Sequence, residues 1–430
     1  MSLNVDSLKN AVRVSNLRNK ILFTLLMFLV FRIGAHVPIP LINHEVLNEL
    51  VGAGSIMDFF DTFSGGSFRR FTIFAMSITP YITASIIIQL LQVVIPSLER
   101  LAKEGDYGRK KIVQYIRYFT VVLGFVQGFG MTFGLRGAII VPPGVWSWLV
   151  YLFITLILTA GTTFLMWLGE AITEKGIGNG ISLIIFAGIA SRIPDALKNL
   201  WQGWQVGEIS LISIIVLAVI VVAVVAGIVY INEGQRRIQV QYAKRVVGRR
   251  VYGGQSSHIP LKVNQAGVIP IIFAISLVGL PSQIASWSGG SGFAAFVNKW
   301  MTMNGSVNSI PYLIVYALMI IGFTYFYTTI TFKPMDVAEN LKKYGGFIPG
   351  LRPGRPTSEY ITKVLYRVTF VGAMFLALIS ILPTIVSNVT GFTNIYFGGT
   401  SLLIVVGVAL DTMKQLESQL VMRHYQGFIK

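Results

Sequence analysis

Long apolar runs in this 430-residue chain are separated by polar gaps, and its basic residues fall almost wholly into every second gap. That is the charge pattern of a chain threaded repeatedly through a bilayer, since cytoplasmic loops carry the excess of Lys and Arg. About ten runs occur, near residues 21–37, 71–95, 115–135, 146–168, 178–192, 209–231, 264–285, 310–332, 366–387 and 400–416. With the N-terminus taken as cytosolic, segments 1–20, 96–117, 169–176, 232–262, 333–367 and 411–430 hold 28 of the 35 Lys and Arg. The opposite segments 38–70, 134–146, 192–209, 286–311 and 388–399 hold 6, and Arg32 stays inside the first run. Such an imbalance puts both termini in the cytosol. A composition of 53% apolar and only 12% charged residues makes lipid the main solvent. Most of the net charge of +17 then belongs to the topology, although a polyanionic partner stays open for two loops. With no Cys there is no disulfide, thiolate nucleophile or Cys-bound metal. The N-terminus resembles a secretory signal, but its apolar run continues through Arg32 to Pro38 without a small-residue cleavage pattern, so it reads as the first span.

A crossing helix needs about 20 mostly apolar residues. The sixth and eighth runs meet this easily, the fifth and tenth are marginal, and the second and seventh contain Pro80 and Pro270 in their interiors. Cutting the chain near residue 205 gives two five-span halves in which the second matches the seventh and the fifth matches the tenth. Paired weak segments in corresponding places point to inverted repeats around a central pathway, and an odd span count per half forces the inversion. Chance is the competing account, because membrane helices often contain proline. Apart from Arg32 no charged residue lies deep in a span, where coupled carriers place ionisable relays. Isoleucine occupies that depth instead. Ile78 and Ile82, like Ile181 and Ile185, are four apart and share a helical face. If those helices meet, they form an apolar collar that blocks ions by dewetting; a lipid-facing role is the alternative.

Between the first two spans, GSIMDFFDTFSGGSFRRF sets Ile56, Phe59, Phe60 and Phe63 on one stripe interrupted by Asp58 and Asp61. This short helix either lies at the membrane surface or folds back into the protein, with Gly65 and Gly66 as a hinge. Two cytosolic loops, 232–262 and 333–363, are too long to be turns. The first alternates through Ile238–Tyr242 and again near Val251, suggesting a hairpin that displays Arg236, Arg237, Lys244, Arg245, Arg249 and Arg250. The second holds Arg352 and Arg355 on the stiff FIPGLRPGRP turn. Both suit docking of phosphate or carboxylate partners, against the alternative of a solvated basic surface. Enzyme chemistry has no support: GIGNG (Gly176–Gly180) is not a dinucleotide fingerprint, no GxxxxGK[ST] occurs, and His36, His44, His258 and His424 lack metal-ligand spacing. A secondary transporter for a small solute is the competing functional class, and a receptor or scaffold a third.

The motifs DTFSGGSFRRFTIFAMSITPYITASIIIQLL, EGDYGRKKIVQYIRY, TFLMWLGEAITEKGIGNGISLIIFAGI, GQRRIQVQYAKR with HIPLKVNQAGVIP, ENLKKYGGFIPGLRPG and YFGGTSLLIVVGVALD are specific. Through them the chain resembles the SecY family, the channel subunit of the bacterial Sec protein translocon, from about Leu17 to Tyr425. The resemblance implies an all-α polytopic membrane protein, ten transmembrane helices in two inverted pseudo-symmetric five-helix halves around a central pore. It divides the chain into a cytosolic segment 1–20, halves 21–205 and 206–416, and a cytosolic tail 417–430. The implied function is a conduit in the cytoplasmic membrane for unfolded secretory polypeptides, with lateral release of hydrophobic segments into lipid and no cofactor. It puts a pore ring at Ile78, Ile82, Ile181, Ile185, Ile272 and Ile404, and a plug at Ser55, Ile56, Met57, Asp58, Phe59, Phe60, Asp61, Thr62, Phe63 and Ser64. Asp61 departs from the neutral polar residue expected there. Thr83, Gln89, Gln92 and Asn264 fall beside the implied lateral gate, where they are expected to hydrogen-bond across the seam. Arg236, Arg237, Lys244, Arg245 and Arg352 match surfaces that meet the SecA motor ATPase and the ribosome. SecE and SecG are the implied membrane partners, and signal sequences and unfolded preproteins the cargo.

Overall fold

Each apolar run becomes helical, because in hydrocarbon every backbone polar group must be satisfied within its own segment. The computed structural model describes residues 14–50, 61, 64–207, 210–242, 245–247, 250–252, 256–287, 292, 296–297, 310–390 and 399–426. The first half contains α1 (Ser15–Gly34), the short α2 (His44–Leu50), α3 (Thr79–Val94), α4 (Pro96–Lys103), α5 (Asp106–Gly134), α6 (Ser147–Lys175), α7 (Gly180–Ala190) and α8 (Ile193–Gln205). The second half begins with α9 (Leu211–Glu233) and the strands β1 (Gln235–Tyr242), β2 (Arg245–Val247), β3 (Arg250–Tyr252) and β4 (Ser256–Lys262). It continues with α10 (Ile269–Trp287), α11 (Ile310–Thr331), α12 (Pro334–Lys343), β5 (Gly346–Phe347), α13 (Arg355–Thr390) and α14 (Gly399–Gln426). The ten sequence runs thus correspond to α1, α3, α5, α6, α7, α9, α10, α11, α13 and α14. By length and composition alone, six helices or unbroken helix pairs of the described residues can span a bilayer, or seven if α3 and α4, bent by 101°, count as one.

The weak spans are weak for a reason that the apolar pattern does not reveal. Pro80 is in the first turn of α3, and Pro270 is the second residue of α10. Neither is inside a span, because a missing N–H costs nothing at a helix start. Residues 71–78, expected as helix, are turns, with Phe71 and Ser77 at φ of 44° and 52°. A repeat becomes visible here: Ile78-Thr79-Pro80 opens α3 and Val268-Ile269-Pro270 opens α10, while GISLIIFAGI in α7 is answered by GTSLLIVVGV in α14.

Many hydroxyls inside the spans are satisfied by their own helices, although those of Thr162 and Thr328 are buried without a hydrogen-bond partner among the described residues. Thr120, Thr132, Thr155, Thr159, Thr324 and Ser380 each donate to the carbonyl four residues earlier, at 2.6 to 2.8 Å. A glycine lets the turn before α3 approach α6: a Cβ on Gly161 of α6 would lie 1.9 Å from the Ile73 carbonyl oxygen. Among the described residues, the three largest apolar clusters of the spans divide between the halves. One joins Leu47, Phe71 and Ile154 in the first half, a central one joins the two halves, and a third gathers Ile228, Ile271, Tyr316 and Leu376 in the second.

Outside the membrane the two long loops form one body. Strand β1 pairs antiparallel with β4, from Gln235 opposite Lys262 to Gln241 opposite Ser256. Its far end also pairs with β5 of the second loop. The expected hairpin exists, but Val251 belongs to a separate two-stranded ribbon, β2 with β3. Beneath the sheet Ile238, Val240 and Leu261 pack against Leu341, Ile348, Ile361 and Leu365, so each loop supplies half of a small core. Alternation along β1 predicts one buried face; only the tertiary pairing shows what covers it.

Candidate functional site

All six isoleucines singled out by the sequence belong to one apolar cluster at the meeting of the two halves. Ile78, Ile185 and Ile404 are buried at 1%, 3% and 0% exposure; Ile82, Ile181 and Ile272 are half-buried. Four short helix beginnings supply them. Ile78 and Ile82 come from the start of α3, Ile181 and Ile185 from α7, Ile272 from α10 and Ile404 from α14. None of α3, α7 and α10 contains a charged residue, and in α14 the first is Asp411. Val268 packs in the same cluster and occupies the repeat position of Ile78; the repeat was the signal that could have found it. Thr400, 5% exposed, takes the place of Ile181 in the second half.

The GIGNG segment is the device that aims α7. Gly178 has φ of 79°, which a side chain rarely adopts. The Asn179 carboxamide then caps α7 by accepting from the amides of Ile181 at 3.1 Å and Ser182 at 3.2 Å. The Gly180 amide donates to Thr173 Oγ1 on α6 at 2.9 Å, and the Ile177 amide to Thr24 Oγ1 on α1 at 3.2 Å. A Cβ at Gly180 would lie 1.9 Å from the Gly169 carbonyl oxygen, so the loop passes as close to α6 as a backbone can.

Of the expected plug, only Asp61 and Ser64 are among the described residues; Ser55, Ile56, Met57, Asp58, Phe59, Phe60, Thr62 and Phe63 lie outside them. Asp61 is fully buried and is held by a guanidinium of Arg192, in the link between α7 and α8. Its other oxygen accepts from the Arg69 amide at 2.9 Å, with Arg69 Nε at 3.8 Å from the first. The acidic side chain that sequence comparison left unplaced therefore has a charge partner 131 positions away. Ser64 Oγ donates to the Asp61 carbonyl at 3.0 Å and accepts from the Phe68 amide at 3.2 Å. Gly65 and Gly66 take φ of 68° and 86°, as a hinge requires. A Cβ on Gly65 would meet the Gly188 backbone of α7 at 3.1 Å. Arg32 is in the last turn of α1, where a cation suits the helix dipole, and donates to Gly65 O at 3.3 Å and Ser191 Oγ at 3.0 Å.

Three of the four seam residues have side-chain hydrogen bonds, and none of these crosses from α3 to α10. Thr83 donates to the Thr79 carbonyl at 3.1 Å and Gln89 to Ser85 Oγ at 3.2 Å, both within α3. Asn264 is in the bend before α10 rather than within a span, and its amide donates to Asn232 Oδ1 at 2.8 Å. Gln92 is half-buried in the last turn of α3. The hydrogen bonds found for these side chains therefore lie within α3 or link Asn264 to the end of α9, instead of crossing from α3 to α10, although α10 does pack on α3 and α5.

Arg236 and Arg237 project from the exposed start of β1, and Arg352 is exposed on a turn. That turn is pinned by Thr357 Oγ1 donating to the Arg352 carbonyl at 2.9 Å, between Gly350 and Gly354 with φ of 81° and 107°. Arg245 lies in β2, and Lys244 is outside the described residues. Through β1 and β5, both basic loops present their charge from one scaffold. Among the described residues no three His, Asp or Glu are grouped to hold a metal.

A family model described as SecY matches residues 72–413. Protein translocase subunit SecY of Halalkalibacterium halodurans is 51% identical over 99% of both chains. The proteins of the same description from Bacillus subtilis and Thermotoga maritima are 50% and 46% identical, each over 99% of this chain and over 99% and 98% of theirs. Among solved structures, a protein conducting channel shares the fold with a TM-score of 0.67 at 19% identity, covering 94% of this chain and 93% of the other. Sec61 in the canine ribosome-channel complex gives 0.63 at 18% identity over 94% and 93%.

Proposed function

This chain belongs to the SecY family and is a multi-pass protein-conducting channel, and on that premise we propose how its residues divide the work. Ile78, Ile82, Ile181, Ile185, Ile272 and Ile404 form the waist of the pathway. The observation that carries this reading is the convergence of six isoleucines from four helix starts, two halves apart in sequence, into one cluster. An unfolded polypeptide has no single shape or charge, so its conduit must avoid specific binding and still exclude ions. A collar of flexible apolar side chains excludes water and ions by dewetting. It offers a passing chain no polar group to bind.

Residues 55–64 are the plug, and Asp61 with Ser64 is its root, tied to the outer end of α7. Residues 21–205 and 206–416 are the two halves that part. Their seam runs between α3 and α10, and Thr83, Gln89, Gln92 and Asn264 line it. A nascent span or signal sequence is itself about 20 apolar residues long, and burying each methylene in lipid is favourable by about 0.8 kcal/mol. Lateral release through the seam therefore runs downhill. Arg236, Arg237, Lys244, Arg245 and Arg352 form the cytosolic docking surface for SecA and the ribosome, supported by the single scaffold that carries both loops. SecE and SecG complete the complex. The membrane is the bacterial cytoplasmic one, with both termini in the cytosol, as the 28 to 6 distribution of basic residues supports.

Proteoliposomes holding the chain with SecE and SecG test the waist. Given SecA and ATP they are expected to import a precursor while staying tight to ions, and Asn at both 185 and 404 is expected to open an ion leak. A seal unchanged by the double replacement removes the isoleucines from the waist.

A further inference from the structure

The hairpin of α6 and α7 contains three glycines whose absent side chains serve different purposes. A Cβ on Gly176 would meet the Ile172 carbonyl oxygen at 2.7 Å, and one on Gly180 the Gly169 carbonyl oxygen at 1.9 Å. Each meets backbone that cannot move aside, Gly176 also the Thr24 hydroxyl at 2.6 Å and Gly180 the Ile172 Cβ at 2.8 Å, so these glycines permit the chain to turn. Gly169 is different. It is buried in α6, and a Cβ there would meet Ile181 Cδ1 at 2.5 Å, Ile184 Cδ1 at 3.3 Å and Ile181 Cγ1 at 3.4 Å. The three nearest atoms all belong to isoleucine side chains, and the nearest is the terminal methyl of a waist residue. Its absent methyl is a recess that Ile181 fills.

We propose that Gly169 is a positioning residue for the waist: its recess keeps Ile181 drawn back against α6, and filling it turns Ile181 toward the pathway. This rests on the assignment of Ile181 to the waist. Ile181 is half-buried whereas Ile185, one turn on, is buried, so Ile181 is the member of the α7 pair with room to move. The second half has no equivalent isoleucine, since Thr400 stands at that repeat position. Among the waist residues of this half, Ile181 is thus the one whose position the Gly169 recess sets.

The test is Gly169→Ala in the SecE- and SecG-containing proteoliposomes. Alanine favours a helix over glycine, the severe clash is with the movable end of Ile181 and the lesser one, 3.3 Å from Ile184 Cδ1, needs only a few tenths of an ångström, so the melting temperature is expected to hold. Precursor import is expected to slow roughly three- to tenfold, the penalty of carrying an off-rotamer isoleucine during passage, with the ion seal intact. Ile181→Val removes Cδ1, and in the double variant it is expected to restore the rate. Gly180→Ala, which meets backbone, is expected to lower the melting temperature and not to be rescued by Ile181→Val. Unchanged import in Gly169→Ala, or a double variant whose effects simply add, overturns the proposal. Ile181→Asn separates the two readings: if it changes neither leak nor import, Ile181 is not in the waist and the underlying reading fails. If it does change them while Gly169→Ala does not, only the recess fails.

Discussion

Replacing Asp61 by Asn is the sharpest perturbation of the sealed state. The carboxylate is fully buried and Arg192, its partner, is 12% exposed; Arg69, on the same carboxylate, is 32% exposed. Removing one member of a buried pair costs about 3–5 kcal/mol because the other charge stays behind unpaired. Two features reduce this. Asn keeps an acceptor for the Arg69 amide at 2.9 Å, and both guanidiniums retain some water. About 2–3 kcal/mol remains, which shifts the anchored-to-released ratio of this segment by roughly 30- to 150-fold. The assay is dye or ion release from resting proteoliposomes, beside thermal unfolding of the purified complex. Leak is expected to rise without SecA or precursor, and Arg192→Gln is expected to do the same. The double variant should be less impaired than the two losses added, because Asp61 and Arg192 lose their charges together, with Arg69 left at the site. A seal and a melting temperature both unchanged in Asp61→Asn would show that the pair does not hold the segment, and the reasoning would fall.

Asn179→Ala removes the cap of α7 and is expected to cost about 1 kcal/mol, seen as a lower melting temperature together with a raised leak, since the capped helix carries Ile181 and Ile185. Ile361 is fully buried in the small core shared by the two loops, so Ile361→Ala should cost that core about 2–5 kcal/mol and expose both loops to protease, with the spans left resistant. Arg352 is exposed, and its reversal to Glu should leave stability within about 0.5 kcal/mol while SecA-driven import falls. The hydrogen bond from Lys103 at 2.7 Å holds the Glu99 carboxyl below the ordinary glutamate range. The pair's contribution to α4 is complete above the unfolded value and disappears as pH falls through the lowered one. Lys103→Met should return the Glu99 titration, followed by NMR of the labelled side chain, to the ordinary range.

Much of the pathway was legible because its signals are local. An apolar run long enough to cross lipid must be a helix, whatever it packs against, and Lys and Arg counts orient it. The i, i+4 spacing of Ile78 with Ile82 and of Ile181 with Ile185 is likewise a property of one helix, and the specific motifs placed Ile272 and Ile404 with them. Which hydrogen bonds the seam residues make was not legible, for the opposite reason. Thr83, Gln89 and Asn264 each found a nearer partner than the opposing helix, and which acceptor is nearest is not written in a side chain's type. Pro80 and Pro270 sit where hydropathy runs straight through, so the apolar pattern hid two helix starts.

Hydropathy marked the solvent and the successive crossings, and charge gave their expected direction, because transfer into lipid is counted residue by residue and adds along the chain. Contacts between distant residues do not add that way. Only the folded chain could set Asp61 against Arg192, lay β5 of one loop beside β1 of another, and seat Ile181 against the bare Cα of Gly169. Each depends on distance and direction in space, which packing of the whole fixes at once.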